Sequence, residues 1–247
     1  MSHMIQLETF KDGNTYCLFN RSEIEDFTSE MLTPEYWQEN NAITGSAQGR
    51  GTTWFIQYQH QSSMQEKQWV LRHYYRGGLI GKIVNDSYFF TALKHTRADR
   101  EFSLLAHMQT LSLPAPKPIA YRVIRQGLLY RADLLSSRIE NAQDLVAILT
   151  KKSINDDLWF SIGETIRRFH SQGIYHHDLN AHNILIDDNN KAWLIDFDQG
   201  ALKTVNSSWQ QQNMQRLLRS FRKEQKNLPN FHWQENHWDA LLVGYNQ

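Results

Sequence analysis

Two short apolar runs near residue 190 constrain the fold of this 247-residue chain more than any other feature. The segments NILID (residues 183–187) and AWLID (residues 192–196) have the composition of strands, and DNNK between them is typical of a turn. Because the arms of a hairpin lie side by side, Asn183 and Asp196 should come close together in space. The alternative is an ordinary polar hairpin whose side chains only cap its own turns.

The remaining patterns divide the chain into a β-rich part and a helical part. Four strand-like segments predict two antiparallel hairpins: residues 52–58 with 68–75, and residues 119–124 with 127–134. Apolar residues at i, i+4, i+7 spacing predict a helix over residues 96–111, and after residue 141 helical patterns dominate. We expect an α+β fold with an antiparallel β lobe and one main helix in residues 1–135, followed by an α-rich lobe in residues 136–247.

Composition excludes several classes of protein. Lys plus Arg equals Asp plus Glu at 26 each, so no bulk charge indicates a nucleic-acid partner. The one cysteine, Cys17, excludes an intramolecular disulfide and a multi-cysteine zinc site. The low cysteine content fits a reducing compartment, so we expect a cytosolic protein. Apolar runs are far shorter than the roughly 20 residues needed to span a bilayer, so we expect no membrane span.

Three polar side chains carry a chemical signature. Asp178 and Asn183 stand in the pattern H-x-D-x4-N, and Asp196 follows thirteen residues after the asparagine, in an Asp-Phe pair. Phosphoryl transfer needs a carboxylate that orients the attacking hydroxyl and oxygen ligands that hold Mg²⁺ on the nucleotide phosphates. Asp178, Asn183 and Asp196 supply these parts, so we expect this group of side chains to hold the metal and to receive the proton.

Upstream residues supply candidates for binding the nucleotide. Gly45, Gly49 and Gly51 lie in the segment GSAQGRGTTW, which could fold over phosphates or form a plain tight turn. In the strand WVLR, Arg72 occupies the position of the lysine that clamps phosphates in kinases, and Glu101 on the following helix is placed to pair with it. Without the downstream motif, either residue would be an ordinary surface charge.

Four segments together resemble a known family: WVLRHYYRGGLIGKI, REFSLLAHMQTLSLPAPKPIAY, YHHDLNAHNILID and WLIDFDQG. They are similar to the bacterial 3-deoxy-D-manno-octulosonic acid (Kdo) kinases, in the lipopolysaccharide-kinase branch of the protein-kinase-like fold. The resemblance runs from about residue 44 to residue 200. It implies ATP- and Mg²⁺-dependent phosphorylation of the 4-hydroxyl of Kdo on a lipid A precursor, at the cytoplasmic face of the bacterial inner membrane. By position in the motifs, the resemblance also implies that Asp178 is the base and that Asn183 and Asp196 are the Mg²⁺ ligands. Glu101 would then be the partner of the phosphate-clamping cation.

The chain departs from the kinase pattern at several positions. Arg72 stands for the usual lysine, with Lys82 as the alternative clamp, and Asp198 replaces the glycine of Asp-Phe-Gly, with an open role. His177 takes the place of the arginine that receives an activation-loop phosphate, so we do not expect regulation by loop phosphorylation. A zinc site built from histidines would leave the spacing of the Asp and Asn residues unexplained.

Chain length and local charge indicate the acceptor. Only about a dozen residues separate Asp196 from the next helix, too few for the long loop that holds a peptide substrate. Residues 72–100 hold six Lys/Arg against two Asp/Glu, and residues 206–226 hold five against one, which suits an anionic sugar. In the helix from residue 209, apolar residues should pack into the core and the basic side should be free to meet an anionic membrane.

Other functions stay open at this stage. A heptose kinase of the lipopolysaccharide core or another small-molecule phosphotransferase would use the same three residues. The departures at Arg72 and Asp198 also allow a nucleotide-binding scaffold without catalysis. We predict neither a nucleic-acid partner nor a protein partner, and residues 5–40 receive no role.

Overall fold

The computed structural model describes residues 5–48, 51–59, 66–75 and 86–247. The chain divides into two compact units. The first comprises Met1–Ala106 and Pro116–Arg138, and the second comprises His107–Ala115 and Ile139–Gln247. The α+β class expected from the sequence is confirmed, since strands dominate the first unit and helices dominate the second.

In the described part of the first unit, eight strands form one antiparallel sheet. They are β1 (Leu7–Asp12), β2 (Thr15–Asn20), β3 (Ile43–Gln48), β4 (Thr52–Gln59), β5 (Glu66–His73), β6 (Tyr88–Phe89), β7 (Pro118–Gln126) and β8 (Leu129–Ser137). The order across the sheet is β1-β2-β7-β8-β5-β4-β3, and β6 pairs with β8. Both predicted hairpins are present, as the pairs β4–β5 and β7–β8.

Helix α2 (Arg97–Thr110) is the main helix of the β-rich part of the chain, at the position that its apolar spacing predicts. Its side chains Ala98, Phe102, Leu105 and Met108 are buried. The Phe102 ring meets the edge of the Tyr121 ring of β7, with 5.3 Å between the ring centroids. Aromatic and aliphatic packing therefore fixes α2 on the sheet.

The segment without an assigned role completes this sheet and its core. Strand β2 pairs with β7, and a short 3₁₀ helix (Ser29–Leu32) and helix α1 (Pro34–Glu39) follow. The buried Trp37 indole N–H donates a 2.7 Å hydrogen bond to the carbonyl of Met31. Burial raises the pKa of the Cys17 thiol to about 12, so this cysteine is a core residue and not a nucleophile.

The second unit is built on four helices within the described residues: α3 (Leu145–Leu149), α4 (Asp156–Ser171), α5 (Ser207–Asn227) and α6 (Glu235–Tyr245). Helices α4 and α6 meet at glycines. A Cβ atom on Gly163 would lie 2.0 Å from the carbonyl oxygen of Leu241, and one on Gly244 would lie 2.0 Å from that of Phe160. The two helix backbones are thus in direct contact, which only glycine permits.

Short strands before and after α4 in the chain form two small sheets. Strands β11 (Ile184–Asp187) and β12 (Ala192–Leu194) form the predicted hairpin, and β9 (Ala142–Asp144) pairs with the free edge of β11. Strand β10 (Ile174–Tyr175) pairs with β13 (Ala201–Leu202). Gly173, with φ +73°, ends α4 and turns the chain into β10.

Helix α5 packs its apolar side into the core, as the sequence predicts. Met214, Leu217 and Phe221 are buried, and the Phe221 ring stacks on the buried Trp233. Its basic side is only partly free, because Arg222 binds Glu235 through two hydrogen bonds of 2.8 and 3.0 Å. In the part of the chain that the structure covers, no helix has the length and apolar character to cross a bilayer.

Candidate active site

His176 anchors the loop that carries the predicted base. Its side chain is 2% exposed, its Nε2 donates to the carbonyl of Ile195 at 2.9 Å, and its Nδ1 accepts the N–H of Asp178 at 3.2 Å. Burial lowers the pKa of His176, so the ring is neutral, and the backbone N–H requires Nδ1 to be the acceptor. One imidazole therefore ties the end of β12 to the backbone of Asp178.

Asn183 belongs to the same group of hydrogen bonds as His176. Its side chain is 9% exposed, and its Nδ2 donates to the carbonyl of Asp178 at 2.9 Å. This bond fixes the orientation of the amide, because Oδ1 must then lie on the opposite side. The carbonyl of Asn183 accepts the N–H of Ile195 at 3.0 Å, so the residue before Asp196 is held against Asn183.

Asp196 leaves strand β12 in a backbone conformation that few residues adopt. Its φ is +61°, in the left-handed region where a side chain with a Cβ atom is strained. The following turn is closed by a 2.8 Å bond from the N–H of Gly200 to the carbonyl of Phe197. Strain of this kind persists where the surroundings impose it and is concentrated at functional sites.

Asp178 itself faces solvent. Its side chain is 51% exposed, with Oδ2 accepting from Asn180 at 3.2 Å and Oδ1 lying 3.4 Å from Arg216 of helix α5. The carboxylate is thus held by its neighbours and remains accessible to a ligand. An exposed carboxylate on a fixed loop can orient a hydroxyl and accept its proton.

One set of hydrogen bonds therefore joins Asp178 and Asn183 to Ile195, the residue before Asp196. Asn183 and Asp196 offer an amide oxygen and a carboxylate, a donor set that suits Mg²⁺, which takes its other ligands from water and substrate phosphates. These side chains fit the metal that the sequence predicts.

The candidate nucleotide clamp lies in the first unit. Glu101 of α2, buried at 4% exposure, forms an ion pair with Arg72 of β5 and accepts a 2.7 Å bond from the hydroxyl of Tyr74. The Arg72 guanidinium also lies 5.3 Å from the centre of the Tyr74 ring. Burial, and next the charge of Glu101, raise the pKa of Tyr74 well above its usual range, so the phenol keeps its proton and remains a donor.

The three candidate glycines occupy different positions in the chain's structure, and one of them lies outside the described residues. Gly45 lies within β3, at a register shift opposite Phe55 of β4. Gly51 precedes β4, and a Cβ atom there would lie 2.0 Å from the ring of Tyr75. Gly49 and the alternative clamp Lys82 lie outside the described residues.

The histidines considered for zinc have separate partners. His170 Nδ1 lies 2.7 Å from the Tyr245 hydroxyl, His176 is bonded as described above, and His182 Nδ1 lies 2.9 Å from Asp144. Across the described ranges, no three His, Cys, Asp or Glu side chains form a cluster that could hold a metal.

Sequence reasoning missed three contributors to these sites. His176 belongs to the H-x-D pattern but received no structural role. Tyr74 follows Arg72 by two residues in the predicted strand of residues 68–75, a spacing that puts both on one face and could have indicated the contact with Glu101. Arg216 is 38 positions from Asp178, so no local pattern relates them.

Comparison with known proteins identifies the family. The model of the lipopolysaccharide kinase (Kdo/WaaP) family matches residues 34–245. This chain belongs to that family. A 3-deoxy-D-manno-octulosonic acid kinase of Vibrio cholerae is 48% identical over 88% of this chain and 90% of that protein. The enzyme of the same description from Mannheimia succiniciproducens is 48% identical over 94% and 96%, and one from Haemophilus influenzae is 42% identical over 98% and 100%.

The match extends the resemblance seen in the sequence to most of the chain, and it confirms the kinase-like α+β fold and the class of enzyme. The protein is a phosphotransferase of the lipopolysaccharide kinase family. The roles of individual residues and the boundary between lobes at residue 135 stay predictions.

Proposed function

We propose that this kinase transfers the terminal phosphoryl group of ATP to the 4-hydroxyl of a Kdo residue on a lipid A precursor. The observation that carries the proposal is the single hydrogen-bond system in which His176 and Asn183 hold Asp178 beside the backbone that leads into Asp196. The high identity to enzymes described as 3-deoxy-D-manno-octulosonic acid kinases supports the choice of acceptor.

Each residue of this system has one task. Asp178 holds the acceptor hydroxyl and takes its proton as the oxygen attacks phosphorus. Asn183 and Asp196 bind Mg²⁺, which when present neutralises charge on the phosphates. His176 touches neither substrate and acts as a positioning residue, because its two hydrogen bonds fix the loop on which Asp178 lies.

Arg72 is the proposed contact to the nucleotide phosphates. Glu101 and Tyr74 both contact the guanidinium and so restrict its direction. Unlike lysine, arginine can offer two parallel donors to a phosphate. We assign residues 1–135 to the nucleotide-binding lobe and residues 136–247 to the catalytic lobe on this basis.

The acceptor places the enzyme at a membrane surface. A lipid A precursor is amphipathic, and we propose that the kinase works as a peripheral protein on the cytoplasmic face of the inner membrane. Lys223 and Lys226 are exposed on α5 and suit contact with anionic headgroups. Co-sedimentation with anionic vesicles tests this, and equal recovery with neutral vesicles would contradict it.

The function is tested by transfer of radiolabelled phosphate from ATP. A Kdo-bearing lipid A precursor should become labelled, and the same precursor without Kdo should not. A heptose-bearing acceptor serves as the second control, because a heptose kinase would label it instead. Nucleotide binding without labelling of any acceptor would leave only the scaffold function.

A further inference from the structure

Helix α5 lies along the loop that carries Asp178 and contacts it at helical spacing. Trp209 meets the Tyr175 ring edge-on at 5.9 Å, and Gln210 donates to the carbonyl of His170 at 3.0 Å. About three turns further on, Ser220 accepts the N–H of Ala181 at 2.9 Å. Contacts near the start of α5 and at Ser220 therefore fix its position against α4 and the segment that carries Asp178.

Arg216 lies between these fixed points, on the same side of the helix as Ser220. Its Nη1 is 3.4 Å from Oδ1 of Asp178, and the two side chains are 43% and 51% exposed. An exposed ion pair of this kind contributes little to stability. The packing of α5, and not the ion pair, brings the guanidinium to the base, and a ligand can replace the contact at little cost.

The other basic residues on this helix have different surroundings. Arg222 is bound through two hydrogen bonds to Glu235, and Lys223 lies 3.6 Å from Glu224. Arg219 is exposed and forms no ion pair within the described residues. Of the α5 cations that the structure describes, Arg216 is the one in contact with Asp178.

We propose that Arg216 binds the carboxylate of the acceptor sugar and so selects a sugar acid for phosphorylation. The inference rests on the proposed function, in which the acceptor is an octulosonic acid and carries its acid group on the same sugar as the reacting hydroxyl. With that hydroxyl at Asp178, the carboxylate has a planar guanidinium beside it. Only Nη1 of Arg216 contacts Asp178, so the other N–H groups of the planar guanidinium can donate to a carboxylate.

The test uses the full chain and two acceptors, the Kdo-bearing precursor and the same molecule with its carboxylate converted to a carboxamide. The variants are Arg216→Gln, Arg216→Lys and the matched control Arg219→Gln. Arg216→Gln should raise the KM for the acid acceptor roughly 10- to 100-fold, since a hydrogen bond between charged groups is lost, and leave the KM for ATP unchanged. Arg219→Gln should behave as wild type, and Arg216→Lys should recover part of the loss.

The carboxamide acceptor separates binding from a structural role. The KM of wild type should be higher for this acceptor by a similar factor, whereas the KM of Arg216→Gln should be the same for both acceptors. Equal activity of wild type on both acceptors would overturn the inference, even if the variant failed to fold. Absence of transfer to the acid acceptor by wild type would instead contradict the proposed function, so the two failures are distinct.

Discussion

Replacing His176 by leucine should disturb the active site while leaving the core filled. The leucine keeps apolar contact with Phe197, whose ring centre lies 4.7 Å from that of the imidazole. It removes the donor to the carbonyl of Ile195 and the acceptor for the N–H of Asp178. The substitution therefore separates the hydrogen bonds of His176 from its packing.

The expected loss follows from the two partners. A buried polar group left without a hydrogen bond costs about 1–3 kcal/mol. The carbonyl of Ile195 should incur that cost, whereas the N–H of Asp178 lies on an exposed residue and can bind water. We expect a total of about 1–3 kcal/mol, which lowers Tm by roughly 2–12 °C for a chain of this size.

Thermal unfolding and steady-state kinetics measure both consequences. The kcat of His176→Leu should fall much more than its KM for ATP rises, because the base is displaced while the proposed clamp lies in the other unit. His176→Asn, which retains an acceptor near Nδ1, and His176→Gln, which retains a donor near Nε2, should each recover part of the loss. A leucine variant with unchanged Tm and kcat would refute the positioning role.

Three further predictions concern pH, the clamp and helix packing. Burial lowers the pKa of His170 from 6.5 to about 4, so as the pH falls the unfolded chain binds a proton before the folded chain does. The free energy of unfolding should keep its full value above pH 6.5 and fall by up to about 3 kcal/mol as the pH drops to 4. Urea unfolding measures this change, and a pH-independent midpoint would contradict it. Tyr74→Phe removes a donor to Glu101 and should raise the KM for ATP about fivefold without changing the KM for the acceptor. A change in the KM for the acceptor alone would contradict the role of Arg72 as the nucleotide clamp. Gly163→Ala should lower the free energy of unfolding by about 2 kcal/mol or more, because the added Cβ meets the backbone of α6. Glu164→Ala, at the exposed neighbouring position, should have little effect. Equal urea midpoints for the two variants would contradict the α4–α6 contact.

The sequence predicts those parts of the molecule that depend on neighbours along the chain. The β11–β12 hairpin follows from strand composition around a turn, and Asn183 lies close enough in sequence to Asp178 for one loop to join them. The pattern also placed Arg72 and Glu101 on elements that the structure brings into contact. In each case, periodicity or a short spacing carries the information.

Features that depend on distant pairing could not be predicted in the same way. Strand β2 joins the sheet through β7, where Thr15 lies opposite Ile124, and no local signal specifies that register. The left-handed backbone of Asp196 could not be inferred from its residue type, because aspartate adopts that conformation only occasionally. The basic side of α5 was expected to face solvent throughout, but tertiary packing brings Arg216 to Asp178.

The central claim is that Asp178 is the base for phosphoryl transfer to the acceptor. Its most direct test is a single-turnover measurement of labelled phosphate transfer by wild type and Asp178→Asn, with ATP binding measured on the same samples. The account predicts that the variant binds ATP as wild type does and loses transfer by about 100-fold or more. Undiminished transfer by a folded variant that binds ATP would contradict it.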